Sequence, residues 1–420
     1  MTSESAGTPE HRGTLGVTAP TTTERQSLVQ RAMVLGLLIA VGALAVDMYI
    51  PGFAAIARDL HTDPGHVQFS MTVYFLSVAG GQVVYGPLSD AHGRKPPLYL
   101  GLAIFALASI WAASAHAIGT LIAARFCQGL GSAATAVIPL AAISDEHSGP
   151  DAARLMTLAM LSLSVSPILA PSLGGVLVQF ASWRLIFLVL AVVAVLAMVM
   201  TARLLPETLP PSRRRSTGPA RMVVTYAGLI ADRRFLLPLL IAAFGQSVLL
   251  LFISGSPFVF VTLHGIKPAV YGVIFAFHAV ALIGISQFNA YFMRVFGVRI
   301  LLGAACCGLA ASAGLLAILV LAGVAPLWLF VALTITIFAC LGLILPTAFL
   351  QAMEPFSLMA GAAAAIGVAL ELCVSSSATA VLAATPGASA RPMVLLMAAA
   401  SGCTLAAFAG YKAQARNWGK

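Results

Sequence analysis

An aspartate stands in a stretch that otherwise reads as lipid-soluble. Asp47, in LAVDMYIP at Leu44–Pro51, follows a run from Ala32 to Gly42 without a single charge. An ionised acid at bilayer depth costs a few kcal/mol or more, so such a residue faces a bundle interior or a water cavity and has a partner. Two further charges share this setting: Arg125 in LIAARFCQGLGSAA, Leu121–Ala134, and Glu371 in an apolar stretch near the C-terminus. A carboxyl group that takes and releases a proton, with a guanidinium at similar depth, is chemistry suited to moving protons across a membrane rather than to breaking bonds. An intramembrane protease would need paired acids in a GxGD setting, and neither Asp47 nor Glu371 has those flanks.

The elements that hold these residues follow from composition. The chain is 60% hydrophobic and 9% charged, against roughly a quarter charged in soluble domains, which makes it an integral membrane protein. Long apolar runs recur and alternating ten-residue strand patterns do not, so helices rather than a barrel cross the bilayer. The expected spans are 32–56, 67–88, 98–115, 119–143, 153–178 and 184–205, then 235–262, 269–292, 299–322, 326–350, 357–384 and 391–411. The fold class is therefore all-α and integral to the membrane, with twelve transmembrane helices in two pseudo-symmetric six-helix bundles. The division expected is a disordered tail over 1–27, a first bundle over 28–205, a polar, Pro-rich central loop over 206–234, a second bundle over 235–412 and a tail over 413–420.

With the N-terminus inside, eighteen Lys and Arg fall in loops and tails on one side and four on the other, leaving Arg125 within the membrane. The positive-inside rule then puts both termini of a multi-pass protein in the cytoplasm. The net charge of +9 is accounted for by topology and contact with anionic lipid, and no nucleic-acid partner is needed. The first apolar segment is too long for a signal-peptide core and lacks a cleavage site, so no cleavage is expected. The six cysteines, Cys127, Cys306, Cys307, Cys340, Cys373 and Cys403, all fall inside predicted helices and read as packing residues rather than disulfides or metal ligands.

On this topology Asp47 lies roughly 24 Å along its helix from Arg31, and Arg125 roughly 6–9 Å from the outer end of the fourth helix, so the two are expected to pair. The alternative for Arg125 is to snorkel outward with its stem in lipid. Glu371, roughly 21 Å above the inner end of the eleventh helix, shares that level. It reads as an auxiliary proton group or a cation-selecting one, with a satisfied structural acid as the alternative. Polar and aromatic residues on inward faces, Tyr49, Tyr74, Gln82, Gln128, Gln246, Phe252 and His278, are the candidates for contact with substrate. His278 has a second reading, as a histidine hydrogen-bonded across helices.

The second helix ends in YGPLSDAHGRKP, Tyr85–Pro96. Asp90 there opposes the helix macrodipole and needs Arg94, Lys95 or another helix's N-terminus for compensation. Gly86 and Gly93 would permit close approach and a tight turn. This loop resembles the G-x-L-a-D-r-x-G-r-k motif of the major facilitator superfamily, which implies for Gly86, Asp90, Gly93, Arg94 and Lys95 the role of a conformational latch between the two halves. The fourth helix is similar to that family's l-x-x-x-R-x-x-q-G-x-g-a-a at Leu121, Arg125, Gln128, Gly129, Gly131, Ala133 and Ala134, whose arginine is linked to proton coupling. The fifth, SVSPILAPSLGG at Ser164–Gly175, resembles the antiporter pattern g-x-x-x-G-P-x-x-G-G at Pro171, Gly174 and Gly175, although Ala170 stands where the family prefers glycine. NAYFMRVFGVR, Asn289–Arg299, reads as a decayed second-half copy of the first loop, with Gly297 and Arg299 at the spacing of Gly93 and Lys95.

DMYIPGF, TVYFLSVAGGQVVYGPLSD and SGSPFVFVTLHGIKPAVYGVIFAF resemble the Bcr/CflA group of drug:proton antiporters. The resemblance implies a monomeric exporter of small amphipathic drugs or metabolites, driven by the proton motive force with no cofactor, with substrate, protons and membrane lipids as partners. Bicyclomycin, phenicols, sulfonamides, dipeptides and cysteine-like metabolites all fall within it. A facilitator, a symporter or a non-transporting sensor on the same fold are the alternatives.

Overall fold

The computed structural model describes residues 22–146, 149–214, 219–385 and 389–417. In chain order the first half holds α1 (Thr22–Asp47), α2 (Phe53–Asp59), α3 (Pro64–His92), α4 (Lys95–Ala113), α5 (Ile118–Glu146), α6 (Gly149–Phe180) and α7 (Trp183–Leu204). After α8 (Pro219–Ala231), the second half holds α9 (Arg233–Pro257), α10 (Pro268–Gln287), α11 (Asn289–Phe296), α12 (Val298–Leu321), α13 (Leu327–Met353), α14 (Ala360–Ala383) and α15 (Arg391–Asn417). Setting aside the short α2, α8 and α11, these are twelve long helices in two sets of six. Ends are set by local chemistry: proline opens α3 and α10, while Ser182 and Asp232 accept hydrogen bonds from the amides of Arg184 and Arg234 to cap α7 and α9.

Several boundaries differ from expectation. Residues 22–27 are helical rather than part of a disordered tail, the remainder of which lies outside the described residues, and α15 runs on to Asn417. The central loop contains α8, because MVVTYAGLIA is apolar enough for a helix lying along a surface. The first span does not run straight to residue 56. It ends at Asp47 and passes through Met48–Tyr49 and a 3₁₀ turn at Ile50–Gly52 before α2, since Pro51 has no amide proton to continue the ladder. The second-half loop keeps the backbone of the first: Gly93 has φ 92° and Gly297 φ 78°, both left-handed, so the repeat survives in geometry where side chains have diverged. The six cysteines are free.

Within the first bundle, small residues let backbones touch. A side chain at Gly129 of α5 would strike Ser77 and the Tyr74 carbonyl of α3, and one at Gly131 would strike Gly101 and Phe105 of α4. Between bundles, α3 packs on α14 and α6 on α10. These are the second and fifth long helices of each half, exchanged, as a two-fold pseudo-symmetry requires. The seams are closed toward one end. Thr72 and Thr379 share a hydrogen bond of 2.9 Å, Gly65 abuts the Ala383 carbonyl, Gly175 faces the Pro268 carbonyl, and Gly272 faces Ser172. Toward the other end of α3 and α14, nothing lies within 4 Å of where a side chain at Gly86 or Gly361 would begin. The molecule is closed at the end bearing Asp59, while α3 and α14 leave room beside Gly86 and Gly361 toward the end bearing Arg94.

Any side chain at Gly175 must therefore displace α10: its Cβ would sit 3.0 Å from the Pro268 oxygen and 3.2 Å from Ala269 Cα. Overpacking of this kind costs about 1–3 kcal/mol, a shift of roughly 5- to 150-fold between closed and open seams. Gly175→Val is thus expected to reduce oxidative cross-linking between cysteines placed at Thr72 and Thr379, in a background lacking the six native thiols. Unchanged cross-linking would mean that the α6–α10 crossing does not govern the seam.

Candidate functional site

The break after Asp47 organises the interior of the first bundle. In an unbroken helix the Ala45 carbonyl would accept the Tyr49 amide; here that amide turns to Val46 at 3.2 Å, and Arg125 Nη1 takes the Ala45 oxygen at 3.1 Å. Arg125 is fully buried and does not snorkel. It also donates to Gln128 Oε1 and reaches Met71 Sδ at 3.4 Å. Its guanidinium lies 4.5 Å from the Tyr49 ring centroid and 4.1 Å from that of Tyr74, an arrangement worth about 2 kcal/mol per desolvated face. The close crossing at Gly129 brings α5 near enough to α3 for Tyr74 to reach it.

Asp47, 5% exposed, accepts a 3.0 Å hydrogen bond from the Ser166 hydroxyl of α6. The expected pairing with Arg125 is not formed: among the described residues no cationic side chain is paired with Asp47. Helical depth had put the two level, but the guanidinium points to the freed carbonyl and the aromatic faces. Gly174 packs against the Met48 carbonyl at the break itself. Asp47 also lies within electrostatic reach of the Tyr74 hydroxyl and of Tyr271 on α10, whose hydroxyl shares a 2.8 Å hydrogen bond with Ser256. The acid thus sits where the first helix breaks and where the two halves meet.

Several residues expected to contact substrate are instead sealed inside a bundle. Tyr49 is tied to Ser70 at 2.7 Å, Tyr74 donates to Ser132 at 2.8 Å, and Gln128 spans from Arg125 to Ser109, so all three serve the arginine cage. Phe252 is fully buried, stacked on Phe275 and edge-on to Phe260 and Phe338. His278 has both ring nitrogens engaged at 2.8 Å, with the Ile274 carbonyl and the Thr334 hydroxyl, as its cross-helix reading anticipates. Gln246 is half-buried, and Gln82 is buried with Oε1 unpartnered. Glu371 is half-buried with Oε1 likewise unpartnered, so it is not a satisfied structural acid.

The Gly86–Lys95 loop is bound to its own bundle. Gly93 turns the chain so that the amides of Arg94 and Lys95 both meet the Glu207 carboxylate, at 2.8 and 3.1 Å, an acid on the positive end of α4. Arg94 is 7% exposed, and joins Asp145 at 2.7 and 3.2 Å and Asp90 at 2.5 Å; Lys95 donates to the Leu205 carbonyl. Burial works against the charge of Arg94, but Asp145 and Asp90 outweigh it and hold the guanidinium above its ordinary pKa. Asp145 and Glu207 were not singled out from the sequence, although the PET at Pro206–Thr208 marks the place. Gly86 needs no close approach in this state, since its face is open. Arg94→Ala, which strands Asp145 beneath the loop, is expected to cost roughly 3 kcal/mol and to lower the melting temperature of the detergent-purified protein by several degrees. Arg94→Lys cannot bridge three acceptors and restores little.

A matching family model, Major Facilitator Superfamily, covers residues 35–379. The chain belongs to this superfamily. It is thus a multi-pass membrane transporter, not an enzyme. An MFS-type transporter of Bacillus subtilis, YdgK, is 34% identical over 85% of this chain and 88% of its own length. The bicyclomycin resistance protein homolog of Haemophilus influenzae is 30% identical over 64% of this chain and 68% of its own, in keeping with the Bcr/CflA resemblance. A crystal structure of a D-xylose-proton symporter superposes with a TM-score of 0.71, at 15% identity, over 91% of this chain and 96% of that one.

Proposed function

We propose that this transporter exports small amphipathic drugs or metabolites from the cytoplasm across the inner membrane, as a monomer, in exchange for protons. One observation carries the reading: Asp47, buried, with a hydroxyl and, among the described residues, no counter-ion beside it, stands at the junction of the broken first helix and the closed seam. A buried carboxylate without a cation is costly, and water entering an open seam would change what its charge costs. Protonation is thereby tied to which end is open, which is what coupling requires. The distribution of basic residues puts the end bearing Arg94 in the cytoplasm, so the seam shut beside Asp47 is the outer one, and its opening would bring Asp47 into proton exchange with the outside. A relative named for bicyclomycin resistance supports a drug as cargo.

Everted vesicles test the reading. Respiration acidifies their lumen, and bicyclomycin or chloramphenicol added outside meets the cytoplasmic face. Antiport predicts a drug-dependent rise in luminal pH, reported by a pH-sensitive dye and absent with Asp47→Asn. Silence toward a broad drug panel, or acidification on drug addition, would overturn it.

A further inference from the structure

The second intramembrane acid has an environment of its own. Glu371 and Gln82 each hold a buried side-chain oxygen, Oε1 in both, without any hydrogen-bond partner, and Gln82 is 6% exposed. Two orphaned acceptors in one interior are costly, unless something with hydrogens to give fills them for part of the transport cycle.

Helical register brings them together. Thr72 and Thr379 touch across the antiparallel pair α3 and α14. From that point Gln82 lies about 15 Å along α3 and Glu371 about 12 Å along α14, in the same direction, and each is turned about 80° from the contact line, to the same side. That side faces inward, for Phe69, Leu76 and Val84, exposed at 38%, 40% and 59%, occupy the other side of α3. The parallel pair α9 and α14 supplies a third group. Leu239 packs at Gly367 and Leu382 at Gly255, which puts Gln246 within about one turn of Glu371 and turned toward the same space. Three helices from two bundles thus direct one carboxylate and two amides into a common interior, on the Arg94 side of the Thr72–Thr379 closure.

We propose that Glu371, Gln82 and Gln246 form a subsite for a protonated amine, so that cargo of this transporter includes amphipathic molecules carrying an ammonium group. The chemistry follows from the unpartnered atoms: both are acceptors, one belongs to an acid, and an ammonium offers a positive charge with several N–H donors. Since α3 and α14 belong to different halves, an ammonium held between them would sense the rocking of one bundle against the other. The proposal rests on the export reading for its physiological sense, but binding itself is measured without a gradient.

The test uses the full-length protein in nanodiscs at neutral pH and two fluorescent probes that differ at one group: dansylcadaverine, which carries a primary ammonium, and its uncharged N-acetyl derivative. The amine should bind more tightly than the acetylated probe. Glu371→Gln should weaken the amine about tenfold to a hundredfold, as loss of a charge-assisted bond implies, and leave the acetylated probe unchanged. Gln82→Leu, which keeps the acid, should weaken the amine by a smaller factor and guards against a Glu371 variant that fails to fold. Equal affinity for the two probes, no binding of the amine at millimolar concentration, or an amine preference that survives both substitutions would overturn the subsite. A native protein that binds the amine but moves no protons on drug addition would refute antiport and keep this site.

Discussion

Asp47→Asn is expected to abolish drug-dependent proton movement in everted vesicles while the protein remains folded and membrane-inserted. The amide is nearly isosteric and can still accept the Ser166 hydrogen bond, 3.0 Å in the native protein, so local structure is retained. What it loses is the ability to exist with and without a proton. One charge moving down 100 mV supplies about 2.3 kcal/mol, enough for a roughly fortyfold gradient of cargo if coupling is tight. With asparagine that advantage falls to unity, whereas downhill exchange of labelled for unlabelled drug continues, because it requires only the rocking of the bundles. Drug accumulation in energised vesicles and counterflow in de-energised ones separate the two. Accumulation that survives the substitution would remove Asp47 from the coupling mechanism. Loss of both would recast it as a structural residue at the helix break.

How far this site could be read from the chain depends on which coordinate a residue's role requires. Depth in the membrane follows from counting residues along a helix, and it brought Asp47, Arg125 and Glu371 to notice. Direction around the helix does not follow so simply, because it depends on where the ladder breaks. Pro51 stands in plain view in the sequence, but its effect on the turn before it does not: the rerouted Tyr49 amide frees the Ala45 carbonyl and draws Arg125 away from Asp47. For the same reason Tyr49, Tyr74 and Gln128 looked like a binding surface and proved to be the arginine's enclosure. The glycines of QGLGSAA do explain why α5 lies close to α3, so the cage could be found from sequence only by asking which side chains that closeness would crush together. Ser166 was in view within SVSPILAPSLGG, yet a lone serine in a helix normally bonds its own backbone, and nothing local distinguishes one that crosses to another helix. Asp145 and Glu207 lie 51 and 113 residues from Arg94, a separation at which only the fold makes them neighbours.

Arg125→Lys is expected to be almost as damaging as Arg125→Ala, and the comparison decides what the residue does. If its positive charge alone mattered, as a field acting on Asp47, lysine would restore most of the function. The geometry demands more. The Ala45 carbonyl and Gln128 Oε1 take Nη1, Met71 takes Nη2, and two tyrosine faces cover the flat guanidinium. A single ammonium cannot stack between both rings while reaching the carbonyl and the amide, and a lysine in this dry space leaves an ill-matched charge. Removing a partner from such a buried charge arrangement costs about 3–5 kcal/mol, and alanine adds an unfilled space between the rings. Both variants should therefore melt well below the native protein in detergent and show little drug-dependent proton movement. Tyr49→Phe is the control: it keeps the ring over the guanidinium and forfeits only the hydroxyl's bond to Ser70, about 1 kcal/mol, so transport should persist. A lysine variant with native stability and half or more of native transport would show that charge suffices, and would place the function of Arg125 in its field at Asp47 rather than in holding the broken helix open.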